Sequence, residues 1–161
     1  MSSTPRIIVV GVISDTHGLL RPEAMEALRD SELIIHAGDI GSPEIIDALM
    51  TIAPVRAVRG NTDRDTWARR VPDSLLVDVG AVAILVVHDV HVLRGALPDG
   101  RCRAVVSGHS HCPATAHHGG VLLFNPGSAG PRRFNLPVSV GKLYVEGDQV
   151  RAKIVQLMVD G

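Results

Sequence analysis

Apolar runs and amphipathic segments alternate through the first third of the chain. Residues 7–14 form a continuous apolar run, which is typical of a strand buried on both faces. Similar runs at 33–39 and 55–60 predict two more strands. The segments 21–30 and 42–52 between them are helix candidates, each with a proline near its start. Strands and helices that alternate with short connections predict a parallel sheet built from right-handed crossovers.

The helix predicted at 42–52 carries the clearest signals. Ser42 stands at the capping position, and Pro43 occupies the first helical position. We expect one apolar face on this helix, made of Ile45, Ile46, Leu49 and Met50.

The second half of the chain is richer in strand patterns. Residues 75–79 and 82–88 predict a pair of strands joined by a turn. Short strands at 103–111 and 121–127 run into loops, and 138–158 predicts a hairpin that turns at "EGDQ". We therefore expect two sheets packed together with helices outside, in a single domain that spans residues 1–161.

Polar residues that can bind metal recur where these core strands end. In chain order they are Asp15, His17, Asp39, Asn61, His88, His109 and His111. Successive strand ends are separated by about one strand and its return connection. In open α/β sheets the carboxyl ends of the strands are where ligands bind. Residues i and i+2 of an extended segment point the same way. We therefore expect the side chains of Asp15 and His17 to converge on one point, and those of His109 and His111 to do the same.

This residue set indicates a metal site. Four imidazoles, two carboxylates and one amide exceed the four ligands of a tetrahedral zinc ion. They suit two ions that share a carboxylate, in a nitrogen- and oxygen-rich site fit for Mn²⁺, Fe or Zn²⁺. The two cysteines, Cys102 and Cys112, form no CxxC pair, and the site needs no thiolate.

Composition and charge argue against several other functions. The net charge of −1 gives no reason to expect a nucleic-acid or anionic-membrane surface. Aromatic residues make up only 2%, too few for a base-stacking platform. The start "MSSTPR" lacks the apolar stretch of a signal peptide, and no window approaches the roughly 20 apolar residues that span a bilayer. We expect a soluble cytoplasmic protein without a membrane or nucleic-acid partner.

Six ordered motifs carry a resemblance to a known family. The series "SDTHG", "HAGD", "GNTD", "VVHD", "GHSH" and "NPGS" resembles the calcineurin-like metallophosphoesterase superfamily, in particular its small single-domain bacterial and archaeal phosphodiesterases. The resemblance extends from about residue 7 to the C-terminus. It implies a four-layer α/β/β/α sandwich, in which two mixed β-sheets are flanked by helices.

The resemblance also implies a role for each polar residue. Asp15, His17 and His111 would hold one metal, Asn61, His88 and His109 the other, and Asp39 would bridge them. Of these, the implied catalytic residues are Asp39, Asn61 and His88. The implied substrate contacts are Asn61 and Arg132.

The implied activity is hydrolysis of phosphoesters, first of all phosphodiesters, by a hydroxide that bridges two metals. The implied cofactors are two divalent ions, Mn²⁺ first, with Fe, Ni²⁺ or Zn²⁺ as alternatives. The substrate would be a small phosphoester and the protein a homo-oligomer, a dimer or tetramer. Two alternatives stay open: a phosphomonoesterase, nucleotidase or nuclease on the same site, and a non-catalytic protein-interaction scaffold of the same fold. The presence of all seven ligand residues argues against the scaffold.

Two departures from the family pattern concern proton donation. Thr62 follows Asn61 where larger members of the family carry a histidine that is thought to protonate the leaving group. In the fourth motif, "HDVH", Asp89 replaces a glycine, and His91 is displaced by one position. His91 is therefore open as a residue that orients a ligand, as an acid, or as a structural residue.

Other polar residues receive lesser roles. We expect His36 to be structural and His117 and His118 to lie in a solvated polar loop. Asp63 is a candidate to orient a histidine ligand. In "NPGSAGPRR", the backbone N–H groups of Gly127 and Ser128, and the guanidinium of Arg132, are candidates to contact a phosphate.

Overall fold

A computed structural model describes residues 6–93 and 100–159. Within these residues there are ten strands and two α-helices. They are β1 (Ile8–Ile13), α1 (Pro22–Ala27), β2 (Leu33–His36), α2 (Pro43–Leu49), β3 (Val55–Ala57), β4 (Ser74–Val79), β5 (Val82–Val87), β6 (Cys102–Val106), β7 (Ala114–His118), β8 (Val121–Asn125), β9 (Ser139–Glu146) and β10 (Gln149–Gln156). Two 3₁₀ turns lie at Thr66–Arg70 and Val90–Val92.

The strands form two mixed five-stranded sheets. The first has the order β10-β9-β1-β2-β3, in which β1, β2 and β3 are parallel, β9 is antiparallel to β1, and β10 is antiparallel to β9. The second has the order β4-β5-β6-β8-β7, with β5, β6 and β8 parallel and an antiparallel strand at each edge. The predicted sandwich of two mixed sheets is confirmed.

Apolar residues from both sheets form the central core. Val12 and Leu143 of the first sheet pack with Val86, Val106 and Phe124 of the second, and all five are almost completely buried. Strands that are buried on both faces produce the continuous apolar runs seen in the sequence.

The outer faces of the two sheets are covered differently. Helices α1 and α2 cover the first sheet, where Leu28 and Leu49 join a buried cluster with Ile34 and Val140. On the second sheet, Val87 is packed by residues next to the 3₁₀ turn at Val90–Val92. Within the described residues, the fourth layer of the sandwich is thus a short turn.

Local details differ from the predicted pattern. Ser42 occupies the N-cap of α2, but its side chain makes no capping hydrogen bond. Met50 follows the last residue of the helix and is 58% exposed, so the apolar face ends at Leu49. His117 and His118 are exposed as expected, but they lie in the edge strand β7 instead of a loop. All residues of β7 are exposed, and its sequence, ATAHH, lacks the large apolar residues that mark a buried strand.

The parallel strands bring the loops that follow them together. Asp15 N donates to the carbonyl oxygen of Gly38 (3.0 Å) and thereby links the loops after β1 and β2. In the second sheet, Gly108 N donates to the carbonyl oxygen of His88 (2.9 Å), which links the loops after β5 and β6. The two sheets are joined where Ala129 N donates to the carbonyl oxygen of Ser14 (3.0 Å). In the described part of the chain no helix is long and apolar enough to cross a membrane.

Candidate metal centre

Two buried carboxylates lie at the centre of the joined loops. Asp15 Oδ1 is 3.5 Å from His111 Nε2, 3.9 Å from His88 Nε2 and 4.0 Å from His17 Nε2. Asp39 Oδ2 is 3.3 Å from His88 Nε2 and 3.7 Å from His17 Nε2. Five of the seven predicted ligands therefore converge in one cluster.

The cluster contains two groups whose possible ligand atoms all lie within 4.8 Å of one another. One group is Asp15, His17 and His111, and the other is Asp15, Asp39 and His88. Asp39 lies between His17 and His88, which is the position that the family resemblance implies for a bridging ligand. Asp15 also belongs to both groups, so both carboxylates can interact with charge on either side of the cluster.

Asn61 and His109 lie on the solvent side of this cluster. Asn61 Oδ1 is 3.2 Å from His109 Nδ1, and the rings of His109 and His88 meet edge to face with centroids 5.2 Å apart. The His109 side chain is 46% exposed, whereas His88 is buried. Asn61 and His109 therefore lie at the mouth of the site, next to the buried His88.

The backbone of the ligand loops has a conformation that the sequence did not indicate. Positive φ angles occur at five of the seven residues: Asp15 (57°), His17 (47°), Asp39 (55°), His109 (73°) and His111 (64°). The expectation that extended i, i+2 geometry aligns each pair is therefore wrong. His111 faces Asp15, while His109 faces Asn61, so the H-x-H pair serves two sides of the site. Left-handed non-glycine residues cost of order 1–3 kcal/mol each and cluster at functional sites.

Unpaired polar atoms concentrate at this point. Among residues 6–93 and 100–159, five buried side-chain polar atoms have no hydrogen-bond partner, and four belong to the cluster. They are Asp15 Oδ1, His17 Nε2, His88 Nε2 and His111 Nδ1, and the fifth is Ser31 Oγ. Each unpaired buried group costs about 1–3 kcal/mol. Three of these atoms, Asp15 Oδ1, His17 Nε2 and His88 Nε2, face one another across the cluster, and carboxylate and imidazole atoms in such an arrangement fit divalent cations.

Each carboxylate uses one oxygen for the protein and turns the other towards the cluster. Asp15 Oδ2 accepts from Ser14 Oγ (2.7 Å) and from the backbone N of His109 (3.2 Å). Asp39 Oδ1 accepts from the backbone N of Thr62 (3.0 Å) and from Thr62 Oγ1 (2.7 Å). The residue that replaces the family's histidine thus orients Asp39. Sequence reasoning did not identify this role.

The histidines at the site have distinct hydrogen-bond states. His88 Nδ1 lies 2.7 Å from the carbonyl oxygen of Ala37, which can only accept, so Nδ1 carries the hydrogen and Nε2 is left to face Asp39. His36 is fully buried, and both of its ring nitrogens are bonded, Nε2 to Thr16 Oγ1 (2.9 Å) and Nδ1 to Gly38 N (3.1 Å). His36 therefore offers no free ligand atom.

The pKa values of these groups follow from burial and charge. Burial opposes ionisation of Asp39, but contacts with His88 and Thr62 outweigh it, so the pKa of the carboxyl lies well below its ordinary value. Burial likewise opposes charge on His88, but Asp39 and Asp15 raise its pKa above the usual value. Burial lowers the pKa of His36 to about 3. The cluster thus keeps Asp39 anionic and favours positive charge beside it.

Asp63 has a different role from the predicted one. Its carboxylate accepts hydrogen bonds from the backbone N–H groups of Ile40 (3.0 Å), Gly41 (3.1 Å) and Gly60 (3.0 Å). These contacts are to backbone, not to a histidine. Asp63 therefore fixes the loop after β2 against the loop after β3, and thereby the positions of Asp39 and Asn61.

The "NPGS" loop supports the loop that carries Asp15. Gly127 N donates to Asn125 Oδ1 (2.9 Å), so this N–H is already used. Ser128 Oγ donates to the carbonyl oxygen of Asp15 (3.1 Å). Arg132 and Arg133 are both exposed, and the charge of Arg133 helps burial to lower the pKa of the His111 imidazole.

The fold and the cluster together define a class of protein: an α/β sandwich of two mixed sheets with a candidate metal site in the loops that join them. A family model of the calcineurin-like phosphoesterase superfamily domain matches residues 8–148. The chain belongs to that superfamily.

The chain is similar in sequence or structure to three further proteins. The chain is 37% identical to a probable metallophosphoesterase of Methanothermobacter thermautotrophicus, over 92% of each chain. The structure of an archaeal phosphodiesterase matches with a TM-score of 0.76 at 25% identity, over 92% of this chain and 100% of the other. Vps29 of Entamoeba histolytica, solved as a complex with Zn²⁺, matches with a TM-score of 0.70 at 22% identity, over 92% and 99% of the two chains, and so shares the fold.

Proposed function

We propose that this protein is a two-metal phosphodiesterase. The observation that carries the proposal is the group of unpaired, buried carboxylate and imidazole atoms between the joined loops. The similarity to an archaeal phosphodiesterase favours diesters over monoesters. Mn²⁺ is the first candidate metal because the ligands are nitrogen and oxygen atoms, with Fe, Ni²⁺ and Zn²⁺ as alternatives.

The proposed ligand sets follow the two sides of the cluster. Asp15, His17 and His111 would hold one ion, Asn61, His88 and His109 the second, and Asp39 both. Bound divalent ions offset phosphate charge and acidify water at neutral pH. The chain's own contribution is to orient the ligands: Thr62 and Ser14 fix the carboxylates, and Ala37 fixes the tautomer of His88. Arg132 and Arg133, both exposed, are the candidate cations to attract an anionic ester.

The test is metal reconstitution followed by a substrate comparison. The purified chain is stripped with a chelator and reloaded with Mn²⁺, Fe²⁺, Ni²⁺ or Zn²⁺, and bound metal is counted. Hydrolysis of bis(p-nitrophenyl) phosphate is then compared with that of p-nitrophenyl phosphate. We expect uptake of two ions per chain and faster hydrolysis of the diester. A chain that binds two ions and hydrolyses neither ester would contradict the proposal and favour the non-catalytic scaffold.

Replacing Thr62 by valine is expected to weaken metal binding. The change keeps the side-chain shape but removes the Oγ1 hydrogen bond to Asp39. Loss of a partner that orients a ligand typically lowers metal affinity about 10–100-fold. Competition with a chelator measures the effect, and Thr62→Ser, which keeps the hydroxyl, is the matched control. Equal affinities for Thr62→Val and wild type would show that the hydroxyl does not orient Asp39 for metal.

The rate of hydrolysis is expected to depend steeply on the leaving group. The Thr62 hydroxyl donates to Asp39, and no histidine occupies its place to protonate the departing oxygen. General acid catalysis is worth about 10²–10⁴-fold, and basic alkoxides need it far more than nitrophenolate does. A series of aryl phosphodiesters of graded leaving-group pKa measures the slope. A flat dependence would reveal an acid, and a slope that steepens in His91→Ala would identify it as His91, which is exposed beside His109.

A further inference from the structure

A cavity of about 280 Å³ opens beside His109, on the outer face of the second sheet. Among the described residues, apolar side chains form much of its wall, including those of Ala114, Ala116 and Leu123 from the adjacent strands β7 and β8. None of these three residues belongs to the proposed ligand set. The cavity is therefore a second feature of the molecule, which adjoins the candidate metal centre without being part of it.

His109 lines the cavity and also contacts Asn61 and His88 of the candidate metal centre. One edge of the His109 ring faces Asn61, and its Nε2 is 3.9 Å from Asp89 Oδ2, which also lines the cavity. His109 is thus shared by the cavity wall and the candidate metal centre, so the cavity adjoins the place where a phosphate would bind. The acidic side chain of Asp89 opposes a further negative charge there. The chemistry of the wall fits a neutral, compact apolar group.

We propose that this cavity receives one ester group of the substrate, so that the preferred substrates are phosphodiesters with a compact aryl or other apolar substituent. This inference rests on the proposed phosphodiesterase activity and names its substrate class. Burial of apolar area gives about 25 cal/mol per Å². A phenyl group in the cavity therefore improves binding relative to a methyl group.

Cys112 provides a readout of occupancy that does not depend on turnover. It is exposed and lines the cavity, whereas the other cysteine, Cys102, is buried in β6. Iodoacetamide should therefore alkylate Cys112 selectively. In the metal-loaded protein, diphenyl phosphate, whose phenolate is a poor leaving group, is expected to slow alkylation at least about fivefold. Inorganic phosphate at the same concentration, which has no ester group, is expected to leave the rate unchanged.

A filled cavity is the second arm of the test. Ala116→Leu adds bulk at the cavity wall on an exposed edge strand, where the fold tolerates it. Thr115→Leu, the adjacent residue on the same strand, does not line the cavity and is the matched control. We expect Ala116→Leu to lower kcat/KM for phenyl p-nitrophenyl phosphate at least about tenfold and Thr115→Leu to leave it unchanged. Methyl p-nitrophenyl phosphate, with the same leaving group, shows which of the two ester groups enters the cavity.

The two proposals fail in different ways. Turnover by the wild type, with no protection of Cys112 and equal kinetics for Ala116→Leu and Thr115→Leu, would overturn the cavity assignment and leave the phosphodiesterase intact. Protection of Cys112 by diphenyl phosphate without turnover of any ester would support the cavity as a binding site and overturn the proposed reaction. Equal loss of activity in both variants would show a general effect on β7 and would overturn the cavity assignment.

Discussion

Asp39→Ala is expected to abolish hydrolysis and to reduce bound metal to one ion per chain or fewer. Asp39 is the carboxylate between His17 and His88, at 3.7 Å and 3.3 Å, so its loss removes a ligand from both sides of the cluster. The effect should exceed the roughly 10–100-fold change expected when a residue that only orients a ligand is lost. Metal analysis of the purified variant and the bis(p-nitrophenyl) phosphate assay measure the two effects.

The fold should survive this change. Asp39 lies in a loop at the edge of the sheets, and its contacts are with the site residues His17, His88 and Thr62. The apolar core between the sheets is not touched. Asp47→Ala, on the exposed face of α2, is the matched control and should keep full activity and metal content. Activity of Asp39→Ala close to that of wild type would show that the two-metal assignment is wrong.

Gly60→Ala is expected to disable the site through the backbone. A Cβ atom at Gly60 would overlap the Oδ1 atom and the backbone N of Asp39. Backbone cannot move aside as a flexible side chain can, so the loop that carries Asp39 must shift. Overpacking of this kind costs about 1–3 kcal/mol of stability. A shift of Asp39 away from His88 should also reduce turnover by at least about 10²-fold, as small misplacements in active sites do.

Two measurements separate the causes of this effect. Thermal unfolding gives the loss of stability, and metal binding by the folded variant shows whether the site has been displaced. Gly100→Ala is the matched control, because nothing in the described structure lies within 4 Å of a Cβ atom there. Normal metal binding and turnover in Gly60→Ala would mean that the loop relaxes without moving Asp39, contrary to the expectation.

The sequence predicted the members of the site better than their geometry. Polar residues after buried strands, with Asp15 and Asp39 as the clearest examples, could be placed together because parallel strands end at the same edge. The sandwich could be predicted for the same reason, since doubly buried strands appear as apolar runs. The left-handed backbone at Asp15 and His111 could not be predicted from the sequence. Aspartate and histidine tolerate that conformation, but they also occur widely outside it.

Contacts that involve the backbone also could not be predicted from the sequence. Asp63 was a candidate to orient a histidine, but its carboxylate accepts hydrogen bonds from three backbone N–H groups, which the sequence does not reveal. Thr62 was noted only for the histidine that it replaces, and its bond to Asp39 depends on a loop conformation that spacing does not specify. Strand β7 escaped prediction because it lies at an edge with its residues exposed.

The left-handed ligand residues bear on how this fold can gain or lose a metal site during evolution. Glycine adopts positive φ without strain, and asparagine adopts it more readily than most residues do. A single substitution at Asp15, His17 or His111 to glycine would thus remove a ligand and at the same time relieve backbone strain. Selection for stability alone would favour the loss of the candidate ligands at these positions, while the backbone conformation of the loops stayed the same. Loop stability alone therefore does not account for aspartate and histidine at these positions.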